Sequence, residues 1–118
     1  MTPEQTAWLA GWLEGEGCFM FKEVCSSNAS PRIIVQAFST DKDVVERVAR
    51  LMGISLYRIK PRDHYAGWTS SEGWRANVEG QKAVDLMTAI RTMMGARRGA
   101  QIDKALAAWA SRTNLPAE

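Results

Sequence analysis

The chain has 118 residues, 46% hydrophobic and 24% charged, an ordinary globular profile for one domain (residues 1–118) with a modest core. No apolar run is long enough for a signal peptide or a membrane span, so no membrane is expected among its partners. Two cysteines and one histidine form neither a disulfide framework nor metal-ligand spacing, so Cys18 and Cys25 read as reduced thiols in a cytosol-like compartment. The net charge of +2 is weak for a nucleic-acid binder, and the placement of the basic residues matters more than their sum.

Thr2-Pro3-Glu4-Gln5 reads as a helix start, with Thr2 as cap, Pro3 at the first helical position and Gln5 three residues after the cap. The helix is predicted to run from Pro3 to about Glu14, with Gly15 and Gly17 ending it. Wound at about 100° per residue, it carries Trp8, Leu9, Trp12 and Leu13 on one side and Ala7, Ala10, Gly11, Glu14 and Gly15 on the other. Glycine inside a helix costs about 1 kcal/mol relative to alanine. Gly11 therefore points to close approach of another helix along the small face. Glu14 and Glu16 sit where the helix dipole is already negative, an arrangement unfavourable by about 0.3–1 kcal/mol per charge. Two readings stay open. The carboxylates are solvated, or a cation neutralises them, and two copies paired through the small face would bring two such ends together as a divalent-metal site.

Cys18 to Val24 reads as a strand, and Cys25 to Pro31 as a polar turn. Arg32 to Ser39 is a second strand, with Ile33, Val35 and Ala37 on one face and Arg32, Ile34, Gln36 and Phe38 on the other. Thr40 or Asp41 caps a helix that places Val44, Val45, Val48, Leu51 and Met52 at helical spacing and ends at Gly53. Ser55 to Lys60 is a short strand, and Pro61 to Gly73 a polar loop holding the surface residue His64. Trp74 to Glu79 is the next strand, with Trp74, Ala76 and Val78 inward and Arg75, Asn77 and Glu79 outward. A helix opens at Gly80-Gln81 and stops at Gly95, with Met87, Met93 and Met94 as core filler. Arg97-Arg98-Gly99 leads into a last helix striped by Ile102, Ala105, Leu106 and Trp109, and Pro116 closes the ordered part. This order, αββαββαα, predicts an α+β fold: a four-stranded antiparallel sheet with helices on one face.

Leu9-Ala10-Gly11-Trp12-Leu13-Glu14-Gly15-Glu16-Gly17, followed by Cys18-Phe19, resembles the signature helix of the LAGLIDADG homing endonucleases. Leu9, Ala10, Gly11, Leu13 and Gly17 fit the pattern, Glu14 and Glu16 replace its two aspartates, and Gly15 is the small residue between them. The topology resembles single-motif members, whose curved sheet sits on DNA like a saddle.

The resemblance implies a homing endonuclease acting in intron or intein mobility. It would be a homodimer joined through Ala7, Ala10, Gly11, Glu14 and Gly15, cutting a near-palindromic site in double-stranded DNA with Mg2+ or Mn2+. Glu16 would bind the metal with the Gly15 carbonyl. Asp41, Arg97 and Arg98 fall where the family keeps a polar and a basic catalytic residue, Asp41 replacing a common glutamine. Lys22, Arg32, Gln36, Arg58, Lys60, Arg75 and Asn77, outward on the strands, would contact the DNA. The compartment would be the cytoplasm, or the organelle or phage-infected host that carries the gene. The alternative is a DNA- or RNA-binding protein of the same fold without cleavage, such as a maturase or a regulator.

Overall fold

The computed structural model describes residues 1–23, 30–59 and 73–112, with the backbone alone for 57–59. Cys25, Lys60, Arg62, His64, Trp68 and Pro116 lie outside the described residues.

The first helix, α1 (Pro3–Glu16), starts as the local sequence dictates. The Gln5 amide donates to the Thr2 hydroxyl at 3.1 Å, and the Thr2 amide donates to the Gln5 side chain at 2.9 Å. Leu9 and Leu13 are fully buried, each contributing roughly 1.5–3 kcal/mol by leaving water. Ala10 is buried with them and is a core residue, not part of an open face. The bare stripe is instead Glu4, Ala7, Gly11 and Gly15, all exposed. A Cβ added at Gly11 or Gly15 would meet nothing within 4 Å.

α1 passes into β1 (Gly17–Lys22) without a loop. Gly17 is both the helix C-cap and the first strand residue, with an ordinary negative φ of −86°. Its need for glycine is steric: a Cβ there would lie 2.7 Å from Leu13 Cδ2 and 2.8 Å from the Leu13 carbonyl oxygen. The oxygen belongs to the helix backbone and cannot rotate away. Gly17→Ala is expected to cost about 1–3 kcal/mol, the usual range for overpacking. Denaturant unfolding measures it, and an unchanged midpoint would show that the junction has slack.

β1 pairs with β2 (Arg32–Ser39), β2 with β4 (Gly73–Glu79), and β4 with β3 (Tyr57–Ile59), every pair antiparallel. Phe19, Ile33, Val35, Ala37, Ala76 and Val78 face the helices and form the core with them. The alternate positions make a second face, crossed by rows of partners: Cys18–Gln36–Asn77, Met20–Ile34–Glu79 and Phe38–Arg75–Tyr57.

α2 (Lys42–Met52) buries Val45, Val48, Ala49 and Met52 and ends at Gly53, which takes the left-handed φ of 70° that favours glycine. Its Arg47 guanidinium lies 3.9 Å from the ring centroid of Trp8, joining α2 to α1. α3 (Gln81–Ile90) stops earlier than expected and gives way to a 3₁₀ turn, Arg91–Met93. The tighter turn changes the phase of the following side chains. Met87 stays fully buried and Met94 half-buried, whereas Met93 is 48% exposed and is not core filler. α4 (Ala96–Arg112) begins before Arg97, so both arginines lie in its first turn and not ahead of it. None of the helices among the described residues is long and apolar enough to cross a membrane.

Candidate active site and nucleic-acid interface

The two carboxylates at the end of α1 have different fates. The Glu14 carboxylate accepts the Gly95 amide at 2.6 Å, at the entrance of α4. Glu16, the last residue of the helix, is exposed and has no partner among the described residues. Glu14 is therefore a link between elements and not an open interface residue.

Arg98 completes that link from the other side. It is only 9% exposed. Its Nε donates to the Glu14 carbonyl at 2.9 Å, one Nη to the Gly15 carbonyl at 3.4 Å, and the other Nη to the Gln101 side chain at 3.1 Å. A cation thus meets the negative end of α1, and an anion meets the positive start of α4. This exchange explains why α1 continues past Gly15 to Glu16: donors from α4 satisfy carbonyls that would otherwise end the helix.

The start of α4 is held a second time. Arg91 grips Asp103 with two bonds, at 2.7 and 2.8 Å, and this contact holds the Asp103 carboxyl below its usual range. The Arg91 guanidinium also lies against Gly99, where a Cβ would come within 2.7 Å of it.

Arg97, next to buried Arg98, is exposed with no partner among the described residues. Of the two arginines it alone is free to meet a ligand. Asp41 is the N-cap residue of α2, but its carboxylate makes no capping bond. The Asp41 amide donates to the Ser39 hydroxyl at 3.1 Å, and the exposed carboxylate has no partner among the described residues.

Among the described residues of a single chain, no group of three or more His, Cys, Asp and Glu side chains could hold a metal. The donors present still suit a hard divalent cation, which binds through one or two carboxylates and keeps several waters. Glu16 supplies a carboxylate with no partner among the described residues. The Gly15 carbonyl accepts a long contact of 3.4 Å from Arg98, and a carbonyl oxygen with two lone pairs keeps acceptor capacity beside it.

The sheet face away from the helices carries the expected contact residues, with corrections. Arg32 is committed to Glu79 through bonds of 3.1 and 2.8 Å, and that hydrogen bonding keeps the Glu79 carboxyl below its usual range. Arg58 is placed by its backbone opposite Trp74, a residue packed against the core; its side chain lies outside the described set. The open-face position in register with Arg75 is Tyr57. Gln36 and Asn77 stand side by side in one row, and Lys22 is exposed at the far end of β1. Arg75 Nε and Asn77 Oδ1 are buried without a hydrogen-bond partner among the described residues, an unusual state for polar atoms.

Sequence reading missed the exchange between Glu14 and Arg98, although a signal was present. Glu14 sits at a helix end of the wrong sign, and so does Arg98. Two misplaced charges of opposite sign are satisfied when each serves the other's helix.

No protein-family model and no curated protein matches the sequence. Solved structures do resemble it. The homing endonuclease I-CvuI, in complex with its target in the presence of Ca, matches 94% of this chain and 69% of its own with a TM-score of 0.68 at 16% identity. The LAGLIDADG homing endonuclease I-GzeII, in complex with its DNA target, matches 96% of this chain and 38% of its own with a TM-score of 0.65 at 15% identity. The homing endonuclease I-TnaI matches 85% of this chain and 67% of its own with a TM-score of 0.57 at 13% identity. The chain has the fold of the LAGLIDADG homing endonucleases.

Proposed function

We propose that this chain is a LAGLIDADG homing endonuclease that hydrolyses both strands of a specific DNA site as a homodimer. The observation that carries the reading is Glu16: at the motif position of the metal ligand, its carboxylate is exposed and has no partner among the described residues, whereas Glu14 nearby is tied to α4. The shared fold and the signature helix support it.

Glu16 and the Gly15 carbonyl would hold Mg2+ or Mn2+, which supplies charge stabilisation at the phosphate and a more acidic water. Arg97 holds or stabilises the phosphate, and Arg98 keeps the end of α1 in place. Asp41, whose carboxylate has no partner among the described residues, would order water. The curved sheet sits on the duplex with Lys22, Gln36, Arg75 and Asn77 toward it. Arg75 suits guanine, and Gln36 and Asn77 suit adenine, through paired hydrogen bonds in the major groove. One carboxylate centre per chain requires a second copy to cut two strands, and a two-fold dimer implies a near-palindromic target. The product break is the one that intron or intein mobility uses, in whichever compartment carries the gene.

Incubation of the protein with a randomised duplex library and magnesium, followed by sequencing of the ends, tests the reading. A discrete, near-palindromic cut site is expected. An uncut library that is still bound in a salt-dependent way would favour the binding protein without cleavage.

Gly11→Leu tests the dimer. A Cβ at Gly11 meets nothing within 4 Å in a single chain, and leucine is the better helix former by nearly 1 kcal/mol. The variant is expected to fold and to sediment as a monomer. If it sediments with the wild-type dimer, the glycine stripe is not the interface.

A further inference from the structure

Phe38 stands on the open face of the sheet, 42% exposed. Its ring lies over Gly73: a Cβ at that glycine would come within 2.3 Å of Phe38 Cζ and 2.4 Å of one Cε. The ring therefore has a fixed seat on one side and solvent on the other. Across the strands it pairs with Arg75, the residue with the orphaned Nε. Phe38 follows Ala37, the partner of Gly17, so it lies at the end of β2 where α1 enters the sheet.

We infer that Phe38 is a specificity-determining residue that reads the C5 methyl group of a thymine beside the base read by Arg75. The inference rests on the endonuclease reading, in which this face meets the major groove. There the thymine methyl is the apolar feature that a phenyl ring recognises. Directly opposed side chains on a sheet are about 4.5–5.5 Å apart at Cβ. Stacked base pairs repeat every ~3.4 Å. Phe38 and Arg75 are thus spaced to address neighbouring base pairs. The seat over Gly73 holds the ring in one place, so little ordering is needed on binding. A purely structural ring, present only to cover Gly73, would have no dependence on the methyl group.

The experiment uses the duplex site recovered from the library, with each thymine replaced in turn by deoxyuridine, which lacks only that methyl. Affinity is measured without cleavage, in calcium. Wild type is expected to lose about fourfold at one position per half-site, the value of one buried methyl. Phe38→Ser is expected to lose affinity for the thymine site and to bind thymine and uracil equally at that position. Phe38→Leu, which keeps apolar bulk, should retain part of the preference. A flat uracil series in wild type, or a preference that survives in Phe38→Ser, overturns the inference and leaves the endonuclease reading intact. Absence of salt-dependent duplex binding overturns both. If Phe38→Ser does not fold, Phe38→Leu and the wild-type uracil series decide the matter.

Discussion

Glu16→Gln is expected to yield a protein that folds, dimerises and binds its DNA site, and cuts it at least about a hundredfold more slowly with magnesium. The substitution keeps the shape of the side chain and removes its charge. Stability should not change, because Glu16 is exposed and bonds to nothing among the described residues. Cleavage should fall because the anionic anchor for the cation is gone. Loss of the several kcal/mol that such an ion supplies to a phosphoryl transition state corresponds to two or more orders of magnitude. Binding should hold or tighten, since a carboxylate no longer opposes the phosphates. Glu14→Gln is the contrasting variant. Its carboxylate bonds the Gly95 amide, so it should lose stability and affect cleavage only through that loss. Single-turnover cleavage and affinity on one target separate the two. Wild-type cutting by Glu16→Gln would remove the metal assignment.

Arg98→Ala is expected to cost about 2–4 kcal/mol of stability. The guanidinium makes three hydrogen bonds, two of them to helix carbonyls. A bond to a charged group is worth roughly 1.5–3 kcal/mol, and an acceptor left buried without a donor costs a further ~1–3 kcal/mol. These values overlap and do not simply add. Arg98→Lys should recover part of the loss, since one ammonium reaches a carbonyl but lacks the planar fork. A double-mutant cycle with Glu14→Ala should show coupling, because both side chains bind α1 to α4. Denaturant unfolding measures all three. An Arg98→Ala midpoint equal to wild type would mean that water replaces the guanidinium at the end of α1. Arg97→Ala, by contrast, should leave stability unchanged and lower cleavage or phosphate affinity.

The features legible in the sequence were those with short-range causes. Thr2 and Gln5 are three residues apart and cap each other. Ile33, Val35 and Ala37 bury the core face of β2 as alternation predicts, although Ile34 on the other face is buried as well. Gly53 ends α2 because its backbone takes a positive φ. The signature residues Leu9 to Gly17 marked the helix that carries the candidate site.

What tertiary structure decided was partnership over long stretches of chain. Arg98 is 84 residues from the carbonyl it binds in α1, and Arg32 is 47 residues from Glu79. Periodicity assigns such groups a face but not a partner. It therefore left the partner of Glu14 open and gave Arg97 and Arg98 one shared role. Packing makes Glu14 and Arg98 links between α1 and α4 and leaves Glu16 and Arg97 exposed, with no partner among the described residues. The physical reason is that helix ends and charged side chains take whichever counter-charge the fold brings within about 3 Å. That choice is made only when α1 and α4 meet.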